Sequence, residues 1–153
     1  MASIVSLAEL LDAYEWVSAT IQYQNAAYLE RATGAVFVDA EEYSGVPLPA
    51  DYEDATKYIA VPHKNDLNLG RELVKQFVEE FLPNHSGQIR NIFRERGAYS
   101  RLKALLERQG QLDNWYRYEA DAVNAALRNW AEVNGFLVGP DKPLRSGGSM
   151  RNT

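Results

Sequence analysis

Between Leu69 and Trp130 the apolar residues recur at spacings of three and four, with breaks at Pro83, Gly97 and Gly110. That spacing belongs to helices that each keep one apolar face, so it commits nearly half of the chain to α-structure. Leu69, Leu73, Val74, Phe77, Val78 and Phe81 form the first stripe. Asp66 or Asn68 is its expected cap and Pro83 its stop. Ser86 is the expected cap of a short helix through Ile89, Ile92 and Phe93, closed by Gly97. A further helix over 98–109 points Tyr99, Leu102, Leu105 and Leu106 inward and closes at Gly110. The last runs over 112–134 through Leu112, Trp115, Tyr116, Val123, Ala126, Leu127 and Trp130, and Asn134-Gly135 stops it.

The first half changes period twice. Ser6-Leu7-Ala8-Glu9 has the form of a capping box, and Leu7, Leu10, Leu11, Tyr14 and Val17 predict a helix over 7–19. Residues 27–30 and 35–38 favour strand and flank Arg31-Ala32-Thr33-Gly34, a turn whose glycine can take positive φ, so a β-hairpin is expected. Residues 40–56 are acidic, carry Gly45, Pro47 and Pro49, and read as a surface loop. Residues 57–61 are a third strand, stopped by Pro62. Phe136-Leu137-Val138 is short enough for either a brief strand or a docked end. The fold class is therefore α+β: a small antiparallel sheet, hairpin plus one further strand, packed against four to five α-helices. A lone hairpin is marginal in water, so a helical stripe must cover one sheet face. No repeat or linker divides the chain, which gives one expected domain over 1–138 and a disordered tail over 139–153.

Charge is unevenly spread. Residues 1–56 hold ten acids and one base, whereas 57–108 hold ten bases and six acids, within a net charge of −5. Such polarity either steers a partner or neutralises the protein's own segments. With no cysteine in the chain, disulfides, thiolate metal sites and cysteine nucleophiles are all excluded. No Lys or Arg precedes Arg31, and Glu9, Asp12 and Glu15 break the early apolar segment, unlike a secretory signal. The uncharged stretch over 16–29 is rich in Ser, Thr, Gln and Asn, and falls short of the roughly 20 apolar residues a membrane span needs. A cytoplasmic location without membrane contact is the expectation.

Several segments together resemble one family. They are Tyr28-Leu29-Glu30-Arg31-Ala32-Thr33-Gly34-Ala35-Val36, then Tyr58-Ile59-Ala60-Val61-Pro62, then Arg96-Gly97-Ala98-Tyr99-Ser100-Arg101-Leu102-Lys103. Trp115-Tyr116-Arg117-Tyr118-Glu119 follows, with Trp130 near Asn134-Gly135. In order and spacing they are similar to bacterial uncharacterised protein family 0158, over about residues 6–138. The resemblance implies a small intracellular bacterial protein and brings no activity, cofactor or catalytic residue with it.

Chemistry-bearing residues are sparse. His63 and His85 are 22 positions apart, not at the helical spacing of a metal pair, so neither a metal site nor a cofactor is implied. His85 sits in a connector, and its expected state is solvated. His63 follows Pro62 beside Asp66 and is either a locally bonded loop histidine or an acid–base group. Nucleophile and phosphate-loop motifs are absent, and Ser146-Gly147-Gly148-Ser149 lacks the flanking strand and helix. Adjacent carboxylates such as Glu79-Glu80 point different ways on a helix. The balance leans away from an enzyme.

Two surfaces remain. Arg90, Arg94, Arg101 and Lys103 lie in a segment of net charge +4 over 90–108, where two short helices around Gly97 loosely resemble a helix-turn-helix. Phosphate binding there would weaken with salt. The acidic loop offers Glu41, Glu42, Asp51 and Glu53. Of the aromatics, Tyr14, Tyr23, Tyr43, Tyr52 and Tyr118 are candidates for partial exposure, and Tyr is enriched at interface hot spots. The leading expectation is a non-catalytic protein-interaction or regulatory domain that meets an unknown protein partner through the acidic loop. Nucleic-acid or anion binding by the arginine helices is the alternative, an enzyme around His63 the third. The sequence leaves the oligomeric state open.

Overall fold

Ser6 ends a strand and starts a helix. The computed structural model describes residues 2–40, 42 and 45–139. In it Ser3–Ser6 is extended (β1) and Leu7–Ser18 is helical (α1). The Ser6 backbone is still extended at φ −74 and ψ 127, and its hydroxyl accepts the Glu9 N–H at 3.3 Å. The serine half of the expected capping box is thus formed. Along α1, Leu10, Tyr14 and Val17 of the expected stripe are buried with Ala13 beside them, and Leu7 and Leu11 are half-buried. Tyr14 is only 6% exposed, which overturns its place among the surface tyrosines.

The hairpin forms where expected. Strands β2 (Ala27–Glu30) and β3 (Val36–Val38) pair antiparallel with Leu29 opposite Val36. Strand β4 (Tyr58–Ala60) adds to the other side of β2, with Leu29 opposite Ile59, giving the order β3-β2-β4. Leu29 is fully buried at the centre, and burial of such a side chain contributes about 1.5–3 kcal/mol. Helix α1 packs on β2 and β3 and covers the sheet face. The turn residue Gly34 takes φ 79, and its Gly34 N–H and the Glu30 N–H bond to Glu30 O and Ala35 O at 2.8 Å.

A second, parallel pair was not expected as such. Phe136–Gly139 forms β5, which runs beside β1 with Val5 opposite Val138. Val5 and Phe136 are buried. β1 also fits closely over the hairpin turn. Ser3 Oγ donates to Arg31 O at 2.8 Å, and a Cβ on Gly34 would stand 2.1 Å from the Ile4 carbonyl oxygen. Gly139, placed at the start of the expected tail, belongs to β5; the rest of that tail lies outside the described residues.

These strands and α1 belong to one compact unit, Met1–Leu67 with Asn124–Thr153. The other unit, Asn68–Val123, is helical. It holds α2 (Arg71–Phe81), α3 (Ser86–Ile92), α4 (Ala98–Arg108) and the first part of α5 (Leu112–Val133). Phe77 is fully buried, with the rings of Phe81, Trp115 and Tyr118 at 4.7, 5.3 and 5.2 Å. Tyr118 is therefore half-buried packing rather than open surface. The chain is α+β: these five helices, a three-stranded antiparallel sheet and a parallel pair are found among the described residues.

Two expected caps are replaced. Gly70 precedes α2 without a side-chain cap, because Asp66 serves the 3-10 turn Lys64–Leu67 and Asn68 turns the chain at φ 56. Ser86 is already helical, and its hydroxyl donates back to Pro83 O at 2.9 Å. Gly97, at φ 71, precedes α4 rather than closing α3, which ends at Ile92.

Candidate functional site

Helix α1 ends at Ser18 and β2 begins at Ala27, so residues 19–26 must cross from one to the other. Ordinary connecting loops are held weakly. This one is tied down from both sides. Asn25 Nδ2 donates to Trp16 O at 2.9 Å. Thr20 Oγ1 donates to Gln24 Oε1, and Gln22 Nε2 donates to Asp66 Oδ1. The other oxygen of Asp66 accepts the His63 N–H at 3.0 Å.

His63 is the anchor. It is 4% exposed, one of two buried polar side chains among the described residues. Its Nδ1 accepts the Asn65 N–H at 3.0 Å, so that nitrogen carries no proton. Its Nε2 then carries the proton and donates to Thr20 O at 2.8 Å. Lys64 N–H adds a bond to Ser18 Oγ at 3.0 Å. Nε2 thus joins loop 19–26 to the turn after β4, and Nδ1 is occupied within that turn. A general base needs a nitrogen within reach of substrate. In this arrangement His63 has none to offer.

The same loop turns two apolar side chains outward. Ile21 is 75% exposed and Tyr23 93% exposed. Tyr23 also sits at φ 71, a left-handed conformation uncommon for a bulky residue. Of the tyrosines expected at the surface, Tyr23 is the one fully exposed among the described residues. Tyr52 is half-buried with its ring 5.0 Å from Tyr28, and Tyr43 lies outside the described residues. Beside the loop is a cleft of about 480 Å³ whose lining includes Tyr23, Asn25, Tyr28, His63 and Trp130. Burial, then Tyr52, Glu53 and Asp39, push the Tyr28 phenol above its usual range. The outward turn of Tyr23 was beyond sequence reasoning, which had only its residue type to go on.

The acidic loop is partly engaged. Glu41 lies outside the described residues; Glu42 and Glu53 are exposed. Asp51 pairs with Lys57 at 2.9 Å, and that hydrogen bond holds its carboxyl below the usual range. Asp54 accepts from Thr56 N and Thr56 Oγ1 at 2.9 and 2.6 Å, which lowers its carboxyl too.

The four basic candidates separate. Arg90 and Arg94 line a cleft of about 520 Å³ with Arg71 and Lys75 of α2, which sequence reasoning had not joined to them. Arg101 instead pairs with Glu95 at 2.9 Å, and the Lys103 ammonium stands 5.8 Å from the Tyr116 ring centre. Tyr99, at the start of α4, packs edge-on to Phe93 at 5.3 Å. Burial and then Glu119 raise its phenol. The start of a recognition helix is thus occupied by internal contacts. His85 is half-buried rather than solvated, and its Nδ1 has no hydrogen-bond partner among the described residues.

Among the described residues, no three His, Asp or Glu side chains gather as metal ligands, and no helix is long and apolar enough to cross a membrane. Comparison of the chain with protein-family models, with curated proteins and with solved structures finds no match.

Proposed function

We propose that this chain is a non-catalytic protein-interaction domain, and that Ile21 and Tyr23 are the centre of its contact surface. One observation carries this: Tyr23 is held 93% exposed at φ 71, on a loop fastened by side-chain bonds at Thr20, Gln22 and Asn25. A left-handed non-glycine residue costs of order 1–3 kcal/mol and persists where its surroundings hold it. Here they hold it so that a large amphipathic ring meets solvent. Tyrosine is enriched at hot spots, and a fixed loop loses little entropy on binding. Glu42 and Glu53 are exposed in the same unit and supply negative charge that speeds association with a basic partner.

Membership of bacterial family 0158 and a cytoplasmic setting belong to the same proposal. In support, the resembling segments fall on β2–β3, β4, α4 and α5. An enzyme around His63 is disfavoured because both of its ring nitrogens are already bonded.

The test is capture of the partner from the native cell by the tagged full chain, with and without nuclease. A stoichiometric protein that resists nuclease should be captured, and Ile21→Ala with Tyr23→Ala should weaken its binding by about tenfold or more. Capture unaffected by both substitutions overturns the reading. Charge reversal at Glu42 and Glu53 should slow association at low salt and leave dissociation nearly unchanged.

A further inference from the structure

We infer that the cleft formed by α2 and α3 is a docking groove for an acidic amphipathic helix of a partner protein. Each wall carries the same pattern. On α2, Val74 and Val78 are four apart, and so are Arg71 and Lys75; across the cleft Ile89 and Arg90 lie on α3 and Phe93 and Arg94 in the turn just past its end, again four apart in each pair. Four residues advance a helix by about 6 Å, so the α2 wall sets Arg71 and Lys75 at that interval beside an apolar pair, and Arg90 and Arg94 face it from the other wall. Val74, Val78 and Ile89 are buried and Phe93 is half-buried, giving the groove an apolar lining under a charged rim. The methylene stems of Arg and Lys extend that apolar surface.

The cations are available. Among the described residues Lys75, Arg90 and Arg94 are exposed and have no ion pair. Arg71 donates from Nη2 to Phe93 O at 3.0 Å, with its guanidinium 5.4 Å from the Phe93 ring centre, which fixes it at the groove. Four cations against Glu72 and Glu79 leave the lining positive. An occupant with carboxylates at i and i+4 repeats the 6 Å interval, and apolar residues between them meet Phe93. A nucleic-acid strand fits less well. Glu72 and Glu79 interrupt the phosphate-binding charge, and Arg71 already covers the one aromatic ring a base could stack on.

The groove lies within Asn68–Val123 and uses none of the residues of loop 19–26, so it goes beyond the proposed function and can fail separately. The experiment is fluorescence anisotropy on the full chain with a labelled peptide of about 18 residues, Leu on one helical face and Glu flanking it. A scrambled peptide of the same composition and a short DNA duplex are the comparison probes. The amphipathic peptide should bind several-fold more tightly than the scrambled one. Arg90→Glu with Arg94→Glu should weaken it about tenfold or more, as should Lys75→Glu alone to a smaller extent. Ile21→Ala with Tyr23→Ala should leave it unchanged. Four outcomes overturn the inference: no peptide binding at micromolar concentration, equal binding of the scrambled peptide, displacement of the peptide by DNA, or loss of peptide binding on the loop substitutions. Circular dichroism confirms that each variant is folded.

Discussion

Loop 19–26 and the α2–α3 groove carry their polar groups in opposite ways. Around the loop, the buried histidine, Asp66, Asn25 and the hydroxyl of Ser18 each spend their bonds on neighbouring backbone or side chains. What is left facing solvent is apolar, Ile21 and Tyr23. Around the groove the apolar residues are the settled part, and Lys75, Arg90 and Arg94 have no ion pair among the described residues, while Arg71 is held on Phe93. Polar satisfaction at the first site marks structure, because an unmade buried bond is expensive. Unpaired charge at the second costs little in water and remains free to meet a ligand. The molecule thus has one surface whose shape is fixed and one whose charge is on offer.

The sharpest contrast between the two units comes from two glycines with the same backbone. Gly34 takes φ 79 and Gly97 φ 71. A Cβ on Gly34 would stand 2.1 Å from Ile4 O, whereas one on Gly97 meets nothing within 4 Å. Gly34→Ala should therefore cost about 3 kcal/mol or more, from left-handed strain plus displacement of β1. Gly97→Ala should cost about 1–2 kcal/mol, from strain alone. Urea titration reads both. Equal costs would mean that β1 yields freely over the turn.

His63→Ala should come next, at about 2–4 kcal/mol. It removes two bonds and strands the Thr20 carbonyl and the Asn65 N–H. Amide exchange in residues 19–26 should quicken beyond the global loss, since the loop's anchor has gone. If the loop stays protected, Gln22–Asp66 and Asn25–Trp16 alone suffice to hold it.

Tyr23 separates stability from binding. Tyr23→Gly removes the left-handed penalty and should raise stability by up to about 1 kcal/mol, partly offset by the freer unfolded chain. Partner capture should fall all the same. A variant that is both less stable and fully competent to bind would show that the φ of Tyr23 is a packing accident.

Most helices and the hairpin were legible because their causes are local. The stripe of α2 and the turn at Gly34 are each set by a few consecutive residues. The pairing of β1 with β5 was not legible. Ser3–Ser6 has only Ile4 and Val5 to suggest strand, and its partner lies some 130 residues on, at Phe136. Caps were misread where a polar side chain had a better use: Asp66 satisfies the His63 N–H and Gln22 and so cannot cap α2. At the candidate sites, the Arg90/Arg94 spacing was visible in the sequence, although α3 ends at Ile92 and leaves Arg94 just beyond it. Joining Arg71 and Lys75 to it needed the packing of α2 beside α3, although their own i, i+4 spacing next to Val74 and Val78 was there to be read. Among the described tyrosines Tyr23 stands apart in its left-handed backbone and its exposure, and no residue type records either.

The weakest link is the ion pair that closes the acidic loop, and its pH dependence tests whether exposed charge matters in the unit otherwise held by buried bonds. The Lys57 hydrogen bond to Asp51 lowers the Asp51 carboxyl, and the Thr56 bonds lower Asp54. A lowered carboxyl contributes above its ordinary range, and the contribution is lost as pH falls through the lowered value. Asp51 in turn raises the Lys57 ammonium, whose contribution is present below its ordinary range and lost as pH rises through the raised value. The pair should therefore hold from roughly pH 4 to pH 10. The Thr56 amide, which donates to Asp54 Oδ1, should keep a constant chemical shift across that window and move below it. Both partners of the pair are close to half exposed or more, at 45% and 58%, so about 1 M salt should weaken it within the window. The same salt should leave amide exchange at Asn65, bonded to buried His63, unchanged. Equal salt sensitivity at the two amides would erase the distinction between buried and exposed holding within this unit.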